Sequence, residues 1–289
     1  MTQLITKATV LSVAVAMLAV IPLYGQEPRD SSATSSSNAP PASVGKVTQA
    51  DWDVYSQWAA TLPSEELAWE KMLQKHLGEY YFAVYLKQRL SGGYTLEEPD
   101  VWGFVRDDPS LPRILLIGDS ISCGYTPNVR RLLKGKANVH RAPANCYSTR
   151  EARAYMEDWL AAPAGKRWDV IHFNFGYHDQ KGAERYAAGL EKVIERQQKT
   201  GATLVWARTV PFKDATAAGD RVKMLNATAD AIMAKHGIKV NDLYATVAGD
   251  LDNYISSDKI HFNPAGVKVQ AEQVAKVLGE IIDAQQKAG

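Results

Sequence analysis

From Arg113 onward, apolar runs of strand length alternate with amphipathic stretches of helix length. This alternation leaves the chain few ways to fold. Strands are expected at Arg113–Ile117, Ala137–His140, Val170–Phe175, Thr203–Ala207 and Ile238–Asp242. Helices are expected at Val129–Leu133, Thr149–Leu160, Ala183–Lys199, Asp220–His236 and Pro264–Gln285, the last with proline near its first turn. A strand followed by a helix and another strand pairs in parallel. Helices then cover both faces of the sheet, which makes this region an α/β domain. Chemistry in such sheets sits at the carboxyl ends of the strands, so the residues just after each strand are the candidates for function.

The residues before Arg113 read differently. Met1–Lys7 carries one positive charge, and Ala8–Leu23 is an uncharged apolar run. With a small residue, Gly25, before Gln26, residues 1–25 read as a secretory signal peptide. The run is shorter than the roughly 20 residues that span a bilayer, and an uncleaved membrane anchor is the competing reading. Export to the periplasm or beyond, in an oxidising compartment, is the expectation. Residues 26–48 are rich in Ser, Pro, Ala and Asn, and read as a disordered linker. Residues 49–112 form an N-terminal helical extension. One helix is expected from Ser64 to about Arg89, ended by Ser91-Gly92-Gly93. Its aromatic residues (Trp52, Trp58, Trp69, Tyr80, Tyr81, Phe82, Tyr85) pack it onto the main domain or line a cleft.

Charge removes several function classes. Lys and Arg number 33 against 32 Asp and Glu, a net charge of +1. A nucleic-acid binder needs a basic face, and a membrane-surface protein a polybasic patch. Two cysteines are too few for a disulfide scaffold or a four-thiolate zinc site. His76, His140 and His236 have no partners at metal spacing, and His172 lies inside a strand as a core residue.

Two loops carry the chemistry. The first strand runs into Gly118-Asp119-Ser120-Ile121-Ser122, which puts Ser120 at a strand-to-helix junction with backbone N–H groups nearby. Ser122 stands where the Gly-x-Ser-x-Gly elbow has glycine, which disfavours an α/β-hydrolase. Taken alone, Ser120 is equally a helix cap. Before the last helix, Ser257-Asp258-Lys259-Ile260-His261-Phe262-Asn263-Pro264 places an acid and an imidazole three residues apart. The carboxylate can fix the imidazole tautomer and leave its other nitrogen to take a proton from a serine.

These blocks resemble the GDSL/SGNH hydrolase superfamily. Ile117-Gly118-Asp119-Ser120 is similar to the family's first block, with its nucleophilic serine. Asp258-Lys259-Ile260-His261 is similar to the last block, which supplies acid and base. Phe175-Gly176-Tyr177-His178-Asp179 resembles the Gly-x-Asn-Asp block, and Asn145-Cys146-Tyr147-Ser148 sits where the family's glycine block falls. The resemblance implies a three-layer α/β/α, flavodoxin-like fold over residues 113–289, with a five-stranded parallel sheet. It implies hydrolysis of small esters without metal or cofactor, and acetyl esters on carbohydrates are the expected substrates. Ser120, Asp258 and His261 are the implied triad. The implied oxyanion donors are the backbone N–H groups of Ser120 and Cys146 and the side chain of His178. His178 replaces the usual asparagine, and its neutral ring keeps one N–H donor. Export, together with the closeness of the first two strand ends, gives an expected Cys123–Cys146 disulfide; two separate buried thiols are the alternative. The partner expected is a small-molecule or polysaccharide ester, with no nucleic acid and no membrane unless the leader stays attached. An O-acetyltransferase of the same serine chemistry and a non-catalytic glycan-binding module remain as alternatives. Arg208 is read as facing the cleft or pairing in a salt bridge. Asn226-Ala-Thr228, a glycosylation acceptor in form, falls in an expected helix.

Overall fold

The computed structural model describes residues 39–41, 47–92, 100–161, 167–179, 182–213 and 217–288. The leader and nearly all of the expected linker lie outside these residues. Among the described residues no helix is long and apolar enough to cross a membrane.

Five strands, β1 (Arg113–Ile117), β2 (Asn138–Arg141), β3 (Val170–Phe173), β4 (Thr203–Ala207) and β5 (Lys239–Asn241), form one sheet in the order β2-β1-β3-β4-β5. Every pairing is parallel, with Leu115 opposite His140 on one side and Ile171 on the other. The sheet is therefore flavodoxin-like, with its switch of strand order beside β1.

Side chains alternate across a strand, so each strand feeds two cores. Leu115, Ile117, Ile171, Phe173, Leu204 and Trp206 face one side. There they meet α5 (Thr149–Ala161), α6 (Ala183–Gln198) and α7 (Ala217–His236) through Met156, Trp159, Leu190, Val193 and Met233. Ile114, Leu116, Val170, Val205 and Ala207 face the other side. They meet α4 (Ser120–Leu132), α8 (Leu243–Ala248) and α10 (Pro264–Ala288) through Val129, Leu243, Val274 and Leu278. Three layers, α/β/α, result. The helix read from the sequence at Val129–Leu133 begins nine residues earlier, because Asp119 caps α4 by accepting the N–H of Ile121. The short α8 and the single-turn α9 (Leu251–Tyr254) carry too few residues to show a helical period in the sequence.

The extension forms α1 (Gln49–Ala59), α2 (Ser64–His76) and α3 (Gly78–Leu90). The single helix expected from Ser64 to Arg89 is thus two helices. The break falls at Gly78, whose φ of +76° no right-handed helix accommodates. Most of the aromatic residues build the extension's own core: Trp52, Tyr55, Trp69, Phe82 and Tyr85 are buried together. At its centre the buried Glu70 carboxylate accepts the hydroxyls of Tyr55 (2.7 Å) and Tyr85 (2.5 Å). The extension is fastened to the α/β layers by Lys75 and His76 on Asp158 (2.6 and 2.9 Å) and by Asn145, which donates to the Tyr81 hydroxyl (3.0 Å). Among the described residues, the one α/β residue inside the extension's core is Cys123 of α4.

Phe82 is fully buried against Trp52, Tyr55 and Tyr85. Phe82→Ala is expected to lower stability by about 3–5 kcal/mol, the usual cost of emptying such a site. Chemical denaturation followed by tryptophan fluorescence checks this.

Candidate active site

The loops at the carboxyl ends of β1, β3 and β4 converge with the turn before α10. Ser120 is the first residue of α4, at the positive end of the helix. The turn that faces it is closed by an antiparallel bridge between Ile255 and Phe262 and by the N–H of Ser256 on the carbonyl of His261 (2.8 Å). Lys259, within that turn, takes a left-handed φ of +65°. Its carbonyl accepts the N–H of Lys213 from the loop after β4 (2.9 Å), which ties the two loops together. Asn263 then caps α10, its side-chain oxygen accepting the N–H groups of Ala265 and Gly266 at 3.0 Å each.

Ser120 Oγ lies 2.8 Å from His261 Nε2, and His261 Nδ1 lies 2.6 Å from Asp258 Oδ2. The carboxylate accepts only, so it sets the neutral ring with its proton on Nδ1 and its lone pair on Nε2, facing the serine hydroxyl. Asp258 Oδ1 accepts the backbone N–H groups of Ile260 and His261 (2.9 Å each) and the Ser256 hydroxyl (2.8 Å). Partial burial works against ionisation of Asp258. These donors and the imidazole outweigh it and hold the carboxyl well below the usual carboxylate range. The arrangement can take a proton from a hydroxyl, hold it on an imidazole stabilised by a fixed negative charge, and return it.

The loop after β3 supplies the next wall. Gly176 packs so closely on the end of β4 that an added Cβ would lie 2.0 Å from Thr209 Oγ1. The Thr209 backbone is held in place, since Asn226 accepts its N–H (2.9 Å) and donates to its carbonyl (2.8 Å), and its Cβ and Cγ2 would also lie within 3.1 Å of the added carbon. His178 stands between the edges of Tyr147 and Tyr177, with ring centroids 5.2 and 5.0 Å away. Burial lowers its pKa, against the opposing pull of Asp119 and Glu151, which favours the neutral ring. Its Nε2 is 4.0 Å from Asp119 Oδ2, too far for a hydrogen bond. Beside Ser120 an apolar cleft opens between Tyr177, Phe212, Val210, Leu243 and Ile260.

Two expectations are corrected. Cys123 and Cys146 are separate, buried, free thiols. Cys123 packs into the extension's core and Cys146 into the core under α5 and α6, which accounts for the absence of a bridge. Burial pushes both thiols up, to about 11 and about 12, with Arg141 opposing. They are poor nucleophiles and slow to oxidise. The N–H of Cys146 is engaged by the carbonyl of Gly118 (3.2 Å). The loop after β2 is thereby tied to the residue that follows β1, so this donor does not point freely into the site. The next residue, Tyr147, carries the positive φ, +43°.

Other candidates fall outside the chemistry. His172 is fully buried and bonded at Nε2 to Asn241 (3.1 Å), and burial lowers its pKa to about 3. His140 meets Asp107 (2.6 Å), and His236 meets Glu191 (2.6 Å). Arg208 does both things expected of it: it lines the cleft and pairs with Asp230 and Asp242. Sequence reasoning missed the Asn226 clamp, the supporting hydroxyl of Ser256, and Arg141. Asn226 and Arg141 act on backbone groups distant in the chain, and Ser256 acts on the neighbouring Asp258 through a hydroxyl that a serine-rich turn does not single out.

Residues 116–269 match the family model described as the GDSL-like Lipase/Acylhydrolase family. No curated relative matches the sequence. Among solved structures, the chain is similar in fold to a lipase/acylhydrolase from Enterococcus faecalis (19% identity, TM-score 0.51). That alignment covers 58% of this chain and 96% of the other. A member of the lipolytic G-D-S-L family from Veillonella parvula is similar at 22% identity and a TM-score of 0.50, covering 58% and 98%. A catalytic mutant of an acetylxylan esterase from Geobacillus stearothermophilus is similar at 14% identity and 0.50, covering 57% and 93%.

Asp179, next to His178, accepts the N–H and hydroxyl of Thr149 at the start of α5. Burial outweighs these bonds and raises its pKa to about 6. The folded chain therefore holds this proton more tightly than the unfolded chain, whose carboxyl titrates near about 3.9. Stability from this group is present below about pH 4 and is lost as the pH rises to about 6. The melting temperature of Asp179→Asn minus that of the native chain should rise across that window and stay flat above it, as read by calorimetry at a series of pH values.

Proposed function

This chain belongs to the GDSL-like lipase/acylhydrolase family of serine hydrolases, and we propose that Ser120, His261 and Asp258 are its catalytic triad, acting on short acyl esters of carbohydrates. The observation that carries the reading is the unbroken hydrogen-bonded row from Ser120 Oγ through His261 to Asp258. Ser120 Oγ forms a bond to the ester carbonyl carbon while its proton passes to His261 Nε2. The tetrahedral oxyanion collapses, the bond to the alcohol oxygen breaks, and the leaving alkoxide takes the proton from His261. Water then attacks the acyl-enzyme with the same proton relay, releasing the acid and restoring Ser120. Asp258 stays ionised and stabilises the imidazolium.

Two donors serve the oxyanion in this reading: the N–H of Ser120 and the ring N–H of neutral His178. The cleft walled by Tyr177, Phe212 and Val210 takes the acyl group. Three observations support a sugar as the alcohol part. The leader reads as an export signal, which brings the chain to extracellular glycans. Tyr147 (39% exposed) and Tyr80 (55% exposed) offer rings to solvent, and an aromatic face suits the C–H face of a pyranose. An acetylxylan esterase stands among the structures of similar fold.

The testing experiment compares the native chain with Ser120→Ala on an aryl acetate and on a panel of acetylated polysaccharides, measuring free acetate. Turnover by the native chain and its loss in the variant is expected; equal release by both sinks the reading. His178→Ala should lower kcat by about 10²–10³, the typical worth of one oxyanion donor, with KM nearly unchanged. Steady-state kinetics on the preferred ester checks this.

A further inference from the structure

Arg141, the last residue of β2, is fully buried. Among the described residues no carboxylate forms an ion pair with it. An arginine side chain stays charged in proteins, and a buried charge without a counter-ion is costly to hold. Its guanidinium is spent instead on the loops that form the site. Nη1 donates to the carbonyl of Ala142 (3.1 Å) and to that of Ala144, in the loop after β2. Nη2 donates to the carbonyls of Gly118 (2.8 Å) and Asp119 (3.2 Å) and to Ser122 Oγ (3.0 Å). The ring of Trp102, from the segment that joins the extension to β1, lies 5.9 Å from the guanidinium carbon.

The Asp119 carbonyl matters most. It belongs to the peptide unit whose other end is the N–H of Ser120. A trans peptide is planar, with C=O and N–H pointing in opposite directions. Three donors hold that carbonyl: Arg141, the Ser122 hydroxyl (2.7 Å) and the N–H of Cys123 (3.2 Å). Fixing the oxygen from below fixes the N–H above. A cation on the oxygen also polarises the unit and strengthens its N–H as a donor. The same guanidinium holds the Gly118 carbonyl, which already engages the N–H of Cys146.

We propose that Arg141 is a positioning residue of the oxyanion hole: from beneath the nucleophile loop it orients and polarises the Asp119–Ser120 peptide, so that the Ser120 N–H meets the developing negative charge. The proposal rests on the esterase reading above. It gives a buried, unpaired cation a function and compensates for the loss of the Cys146 N–H as a free donor. The extension takes part through Trp102, which covers the guanidinium.

Arg141→Lys keeps the charge and loses the fork that reaches four carbonyls and a hydroxyl at once. The experiment measures kcat and KM on an aryl acetate, and the affinity of an arylboronic acid, which forms a tetrahedral adduct on a serine hydroxyl. For Arg141→Lys, kcat and boronic acid affinity should fall together by at least about tenfold, with KM within about twofold, a fraction of the effect of losing a whole donor. Ser122→Ala, which removes one of the guanidinium's acceptors and a donor to the Asp119 carbonyl, should show the same paired loss at smaller size. It decides the matter if Arg141→Lys does not fold. Folded variants with native kcat and native boronic acid affinity overturn the proposal and leave the esterase reading standing, as does a loss confined to KM. A native chain that neither cleaves the ester nor binds the boronic acid overturns both.

Discussion

The packing of α10 on α4 sets the distance between a hydroxyl and an imidazole that lie 141 residues apart in the chain. Both helices begin at the site, α4 with Ser120 and α10 directly after the Asp258–His261 turn. They share one core, in which Val129 and Leu133 meet Val274 and Leu278. With the helices seated, the polar row at their ends needs only short-range corrections. The cap of Asp119 aims Ser120, and the donors around Asp258 aim His261. Apolar contact brings the two groups into range, and hydrogen bonds set the final geometry.

The parts of this design legible in the sequence are those with local signatures. The five strands announced themselves as apolar runs followed by helical periodicity, and Gly118-Asp119-Ser120 and Asp258-x-x-His261 stood at the loop ends where such sheets carry chemistry. The illegible parts depend on backbone conformation or on distant partners. Gly78 divides the extension into two helices, and a glycine inside a periodic run does not declare its φ. A cysteine in the glycine block keeps a backbone donor as far as sequence goes, but in the fold its N–H is taken by the Gly118 carbonyl. Arg141 falls one residue past the strand expected at Ala137–His140 and belongs to no motif, yet it ends β2 and is fully buried. Only the folded arrangement explains it.

The extension is more than an appended cap. Its aromatic residues satisfy one another around Glu70, so it keeps its own core. Its points of attachment fall near the site: Tyr81 on Asn145, Trp102 over Arg141, and Cys123 of α4 set into the extension's core. In one direction these contacts anchor three helices to the sheet. In the other they exclude water from beneath the nucleophile loop, where a drier surrounding strengthens every electrostatic contact. The usual view of an appendage as a substrate-binding surface accounts for Tyr80, which is exposed; it does not account for the buried remainder.

Asn226 carries a practical consequence for making the protein. Its side chain is buried and holds both backbone groups of Thr209, which in turn fixes the loop bearing Tyr177 and His178. The same residue opens an Asn-Ala-Thr triplet. In a eukaryotic secretory host, an oligosaccharide transferred to the nascent chain would land on that amide before α7 has packed, and the branched sugar would hold the helix off β4. Production in bacteria avoids this competition between glycan attachment and folding. A yeast or mammalian preparation needs another residue at position 228 to keep the amide bare.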